Sequence, residues 1–140
     1  MNLSSINTTM AFLSSKIEAV VAAPPMYPFV GVKAVKAKLE ADPEIQKAVV
    51  CMLFHLQTEA EQAKRDTEVK NRCGFMSSDA WHGSRLAERL INEMGLTADD
   101  EAKIAKIATK YSKQLSVQLR RMAMIANPAL AAYAVTFSVT

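Results

Sequence analysis

Apolar residues recur along this chain in alternating steps of three and four. Leu3, Ile6, Met10, Leu13, Ile17 and Val20 line one face of an N-terminal helix, with Ser4, Ser5, Asn7, Thr8, Thr9, Ser14, Ser15 and Lys16 on the others. Such a seam could pair with a second copy, giving a homo-oligomer; packing into the chain's own core is the expected outcome. Pro24-Pro25 ends this helix. The following Met26-Tyr27-Pro28-Phe29-Val30 reads as a hydrophobic connector rather than an exposed proline-rich docking segment. A short helix from Val32 to Glu40 precedes Asp42-Pro43, where Asp serves as N-cap and Pro takes the first helical position. The next helix carries Ile45, Val49, Met52 and Leu56 on one face, widened by Ala48 and Leu53. It is expected to run on through the polar stretch Gln57 to Arg65 and fray before Asn71.

Ser77-Ser78-Asp79 then caps a helix predicted from Asp79 to Met94, with Ala80, Gly83, Ala87, Leu90 and Met94 inward and Leu86 beside them. Gly95 stands where a left-handed stop residue is wanted, with Leu96 as its hydrophobic contact. Thr97 and Asp100 form a capping-box pair for a last long helix to Ala126. Ile104, Ala108, Tyr111, Leu115, Leu119 and Met122 are its expected apolar face, and Asn127-Pro128 its end. The tail Tyr133–Val139 alternates apolar and small polar residues. It is either a helical turn with a frayed end, which is favoured, or a short extended segment that adds to a partner's sheet. The prediction is an all-α, single-domain bundle of five or six helices across the chain's 140 residues. Residues 1–56 form its N-terminal helices, residues 57–126 carry the basic helix, and residues 127–140 form the tail.

Composition agrees with this and adds one asymmetry. Half the residues are hydrophobic and only four are glycine, which suits helices and argues against global disorder. Two cysteines give no disulfide framework, so a reducing cytoplasm is the natural setting. The N-terminus lacks the charged and apolar regions of a secretory signal, and the charge-free run from Met122 is too interrupted to span a bilayer. The net charge of +3 is unevenly placed: residues 1–101 carry 11 basic and 14 acidic side chains, whereas the remainder carries six basic and none acidic. Lys103, Lys106, Lys110, Lys113 and Arg120 fall within an arc of about 100° on a helix, opposite the apolar face. Arg121 follows, and Arg85 and Arg89 would extend the surface if the two helices pack antiparallel through Gly95. A solvated amphipathic face explains part of this pattern. An acid-free stripe goes beyond it, because surfaces built for solubility mix signs.

Chemistry elsewhere is thin. Cys51, His55, Cys73 and His82 are the soft or borderline metal ligands, and Cys51 and His55 lie one turn apart. The spacing of Cys73 and His82 departs from that of zinc sites, so no metal is expected. His82 and Asp79 lie near Ser77, Ser78 and Ser84, but Asp79 reads as an N-cap and no phosphate loop is present. No enzyme activity and no cofactor are therefore expected. Trp81, Phe75 and His82 could stack on unpaired bases, although Trp81 and Phe75 read first as core anchors.

Gln57-Thr58-x-x-Glu61-Gln62, Asn71-x-x-Gly74-Phe75-x-x-x-Asp79, Leu86-Ala87, Leu96-Thr97 and Lys110-Tyr111-x-x-Gln114-Leu115 form an ordered set. The set resembles a small helical module of bacterial and phage helicase-like and DNA-processing proteins, and of short phage or plasmid proteins. It covers Gln57 to Leu115, departs from the pattern at Glu88 to Met94, and leaves the first 56 residues unplaced. The resemblance implies association with nucleic acid or its processing enzymes, and transfers no activity.

The expectation is thus a non-enzymatic protein with no membrane association. It contacts nucleic acid, DNA favoured, through phosphate pairing by Lys103, Lys106, Lys110, Lys113, Arg120, Arg121, Arg85 and Arg89. Five neutralised phosphates would give a log–log salt slope of about −4 to −5. The alternative is a mobile-element adaptor or inhibitor binding a host DNA-acting complex through Pro24–Phe29, the Leu3/Ile6/Met10/Leu13 face or the Tyr133–Val139 tail.

Overall fold

A computed structural model describes residues 2–18, 31–57, 74–126 and 128. The Pro24–Phe29 connector, the polar stretch after Gln57, Asn71 to Cys73 and the tail lie outside these. Within them the chain is all helical: α1 (Ile6–Glu18), α2 (Val32–Ala41), α3 (Pro43–His55), α4 (Ser77–Ile91), α5 (Ala98–Ala108) and α6 (Ser112–Ala126). A 3₁₀ turn, Thr109–Tyr111, joins α5 directly to α6. No helix among the described residues is long and apolar enough to cross a membrane.

The centre of the bundle is α3, which packs against α1, α2, α4 and α5. Its sequence explains why. Beyond the expected face, Val50 and Cys51 are also wholly buried, so the helix is apolar nearly all round. Asp42 accepts the Glu44 N–H at 2.9 Å and Pro43 opens the helix, as local chemistry predicts. The helix stops at His55 instead of running into the polar stretch. The His55 Nε2 pairs with the Leu3 carbonyl at 2.8 Å, which ties down the start of the chain. Leu3, Met10, Leu13 and Ile17 are buried in the same core, so the N-terminal seam packs on its own chain.

The connection between α4 and α5 differs from expectation. Helix α4 ends at Ile91, three residues early, and Met94 is 51% exposed. The Met94 N–H reaches the Arg89 carbonyl (2.9 Å) and the Glu93 N–H reaches Leu90 (3.2 Å), a complete Schellman pair. The left-handed residue these bonds require is Glu93, at φ 54°; Gly95 lies two positions beyond it. A left-handed side-chain-bearing residue costs about 1–2 kcal/mol. Glu93→Gly should therefore raise stability by about 0.5–1 kcal/mol once glycine's extra chain entropy is allowed for. The urea midpoint would rise at constant m, and a fall would show that the Glu93 side chain stabilises the turn.

At the next helix start, Thr97 Oγ1 accepts the Asp100 N–H at 3.0 Å and Asp100 Oδ2 accepts the Thr97 N–H at 3.2 Å, forming the expected capping box. The long last helix is interrupted where Thr109–Tyr111 tighten to three residues per turn. Over three residues this advances the following helix by about 60° relative to a continuous α-helix. On α6 the buried row is Ser112, Leu115, Ser116 and Arg120, with Leu119 and Met122 only partly covered.

Candidate nucleic-acid interface

The interface starts from a turn. Gly74, at φ +87°, is left-handed, and its peptide is held from both sides by one side chain. Its N–H donates to Gln114 Oε1 (3.1 Å), while Gln114 Nε2 donates to its carbonyl (2.9 Å). Phe75 is buried; its ring lies against Gly83 of α4 and edge-on to Tyr111, with centroids 6.2 Å apart. The Tyr111 Oη accepts the Met76 N–H at 3.0 Å and donates to Asp79 Oδ2 at 2.7 Å. Gly74, Phe75, Asp79, Tyr111 and Gln114 thus meet at one joint. There they dock the start of α4 onto the α5–α6 junction.

Asp79 is consequently not the N-cap of α4. Met76 holds that position without a side-chain cap, and Asp79 is buried in the first turn, facing Tyr111 and Lys110. Lys110 Nζ donates to Asp79 Oδ1 at 3.1 Å. Burial first, and then the hydrogen bond to the Asp79 carboxylate, raise the Tyr111 phenol well above its ordinary pKa.

From this joint a shallow cleft of about 210 Å³ opens between α4 and α5, lined by Asp79, His82, Lys103, Lys106, Ile107 and Lys110. Helical spacing accounts for the gathering. Asp79 and His82 are three apart on α4, while Lys103, Lys106 and Lys110 are three and four apart across the end of α5. Lys103 also reaches Asp99 at 3.3 Å in an exposed i,i+4 pair, and such pairs exchange readily for another anion. Lys106 is exposed and has no ion pair among the described residues. Trp81 flanks the cleft at its His82 wall: it is 51% exposed, and its ring meets His82 edge-on with centroids 5.0 Å apart.

Three expectations change. Arg120 does not share the exposed edge; it is buried at 8% exposure and its Nη2 donates to Ser116 Oγ at 3.0 Å. The advance introduced by the 3₁₀ turn, together with the small Ser112 and Ser116, lets its side chain lie back along the helix. Arg85 and Arg89 do line an antiparallel α4–α5 pair, but they hold the connection together. Arg85 Nη2 lies 3.4 Å and Arg89 Nε 3.7 Å from Asp100, and Arg89 Nη2 donates to the Gly95 carbonyl at 2.9 Å. The Thr97 backbone N–H and then Arg85 hold the Asp100 carboxyl below its ordinary pKa against the opposing effect of burial. Finally, the stripe is not acid-free in space, because Asp79 and Asp99 pair with two of its lysines. Lys113 and Arg121 are exposed on α6, outside the residues lining the cleft.

Among the described residues the candidate metal ligands are not gathered. Cys51 is wholly buried and burial pushes its thiol up to about 12, while His55 is bonded to Leu3 and Cys73 lies outside the described residues. No group of three or more metal-ligating side chains occurs among the described residues. Compared with family models, curated proteins and solved structures, the chain finds no match.

Proposed function

We propose that the chain is a non-enzymatic nucleic-acid-binding protein whose phosphate contacts centre on the α4–α5 cleft, with DNA the favoured target. The observation that carries this reading is the convergence of Lys103, Lys106 and Lys110 with His82 on one concave surface. The carboxylate in its lining, Asp79, is already engaged by Tyr111 and Lys110. A concavity concentrates the field of its charges, and lysines without a rigid fork hold phosphate without reading sequence. The module resemblance favours DNA and a setting in phage or other mobile elements.

With three lysines in the cleft, instead of five along a stripe, the expected log–log salt slope is about −2 to −3. Replacing Lys106 by Gln should weaken binding evenly across sequences and reduce that slope by about 1, read by anisotropy titration over a salt series. Absence of binding to single- or double-stranded DNA or RNA at low salt would sink the reading. The alternative, an adaptor of a host DNA-acting complex, loses one of its surfaces, since Leu3, Met10 and Leu13 are in the core. Partners retained in a pull-down after nuclease treatment would favour it.

A further inference from the structure

The cleft is smaller than the roughly 300 Å³ at which sites enclosing a small molecule begin. At about 210 Å³, with lysines on its walls, it admits a phosphate and leaves the rest of the ligand on the rim. What the rim offers is aromatic. Trp81 presents half its surface to solvent beside His82, whereas the neighbouring aromatics Phe75 and Tyr111 are buried. Half-exposing the largest apolar side chain in the chain forgoes burial that would stabilise the fold. Trp81 is also the only tryptophan.

We infer that the Trp81–His82 rim stacks on an unpaired base while Lys103, Lys106 and Lys110 hold the adjoining phosphate, so that the protein selects single strands over duplex. The inference rests on the phosphate-contact reading and adds the base. In a duplex, base faces are covered by their neighbours and only phosphates are offered; in a single strand every base has a free face, whatever its identity. Selection is therefore for strandedness, with little dependence on sequence.

As the only tryptophan, Trp81 reports directly on the rim. The full chain is titrated at low salt with a thymidine 12-mer, an abasic 12-mer of equal charge and a 12-base-pair duplex, following Trp81 emission and, separately, the anisotropy of labelled strands. The thymidine strand should quench Trp81 saturably and bind about 5- to 150-fold more tightly than the abasic strand, the range that one stacked base gives. Trp81→Ala should bring the two strands to equal affinity while leaving the salt slope unchanged. Equal binding of thymidine and abasic strands by the native chain, or duplex binding as tight as single strand, would overturn the inference and leave the phosphate reading standing. Failure of all three to bind would remove both.

Discussion

Phe75→Ala should cost about 3–5 kcal/mol, the largest loss expected from any single change at the joint. The ring is 1% exposed and lies against α3's partner helix at Gly83, where a β-carbon would overlap the ring edge. Two consequences separate this from ordinary core loss. Gly83→Ala in the native background should destabilise: relieving the overlap costs about 1–3 kcal/mol, and alanine's helix preference returns only about 1. In the Phe75→Ala background the ring is gone, and the same substitution should become neutral or stabilising. Urea unfolding of the four proteins, followed by far-ultraviolet circular dichroism, measures this reversal. Additive effects would show that the ring does not constrain Gly83.

Tyr111→Phe comes next, at about 1–3 kcal/mol, the cost of leaving a buried polar group unsatisfied. One hydroxyl accepts the Met76 amide and donates to Asp79, so its removal affects both the start of α4 and the buried carboxylate. The pH dependence has a defined sign. The phenol is raised in the folded chain above its ordinary 10.0, so folding favours the protonated form. The associated stability is complete below pH 10 and is lost as pH climbs toward the folded value. The native protein should thus lose stability above pH 10 more steeply than Tyr111→Phe, and the difference isolates this residue from the other tyrosines. Equal alkaline slopes would mean that the hydroxyl is not held as described.

The readable parts of the sequence were those whose causes are local. Asp42-Pro43 and Thr97–Asp100 make caps from adjacent residues, and the steps of three and four in α1 and α3 mark the faces that became core. The misread parts depend on partners remote in sequence. Asp79 looks like an N-cap until Tyr111, 32 residues on, is brought against it. Arg120 belongs to the basic edge only if the last helix is unbroken, and nothing around Lys110 announces a 3₁₀ turn. Likewise, Gly95 is the obvious stop residue, but the Schellman bonds fall two residues earlier and place Glu93 there. Helical spacing puts Lys103, Lys106 and Lys110 on one edge, but the cleft they line is not legible from it, since the other wall comes from His82 and Asp79. The sequence leaves Trp81 and Phe75 between core anchor and base-stacking ring, because side-chain type does not separate the two; the fold buries Phe75 and leaves Trp81 half exposed.

The all-round apolar character of α3 also bears on how the chain is made. During synthesis α3 leaves the ribosome with α1 and α2 for company, while the helices that complete its cover, α4 and α5, are encoded beyond residue 76. Until they emerge, a helix that is apolar nearly all round lacks the part of its native cover that α4 and α5 supply. That interval is when the nascent chain is most prone to aggregate or to engage a chaperone, and translation pausing between α3 and α5 would lengthen it.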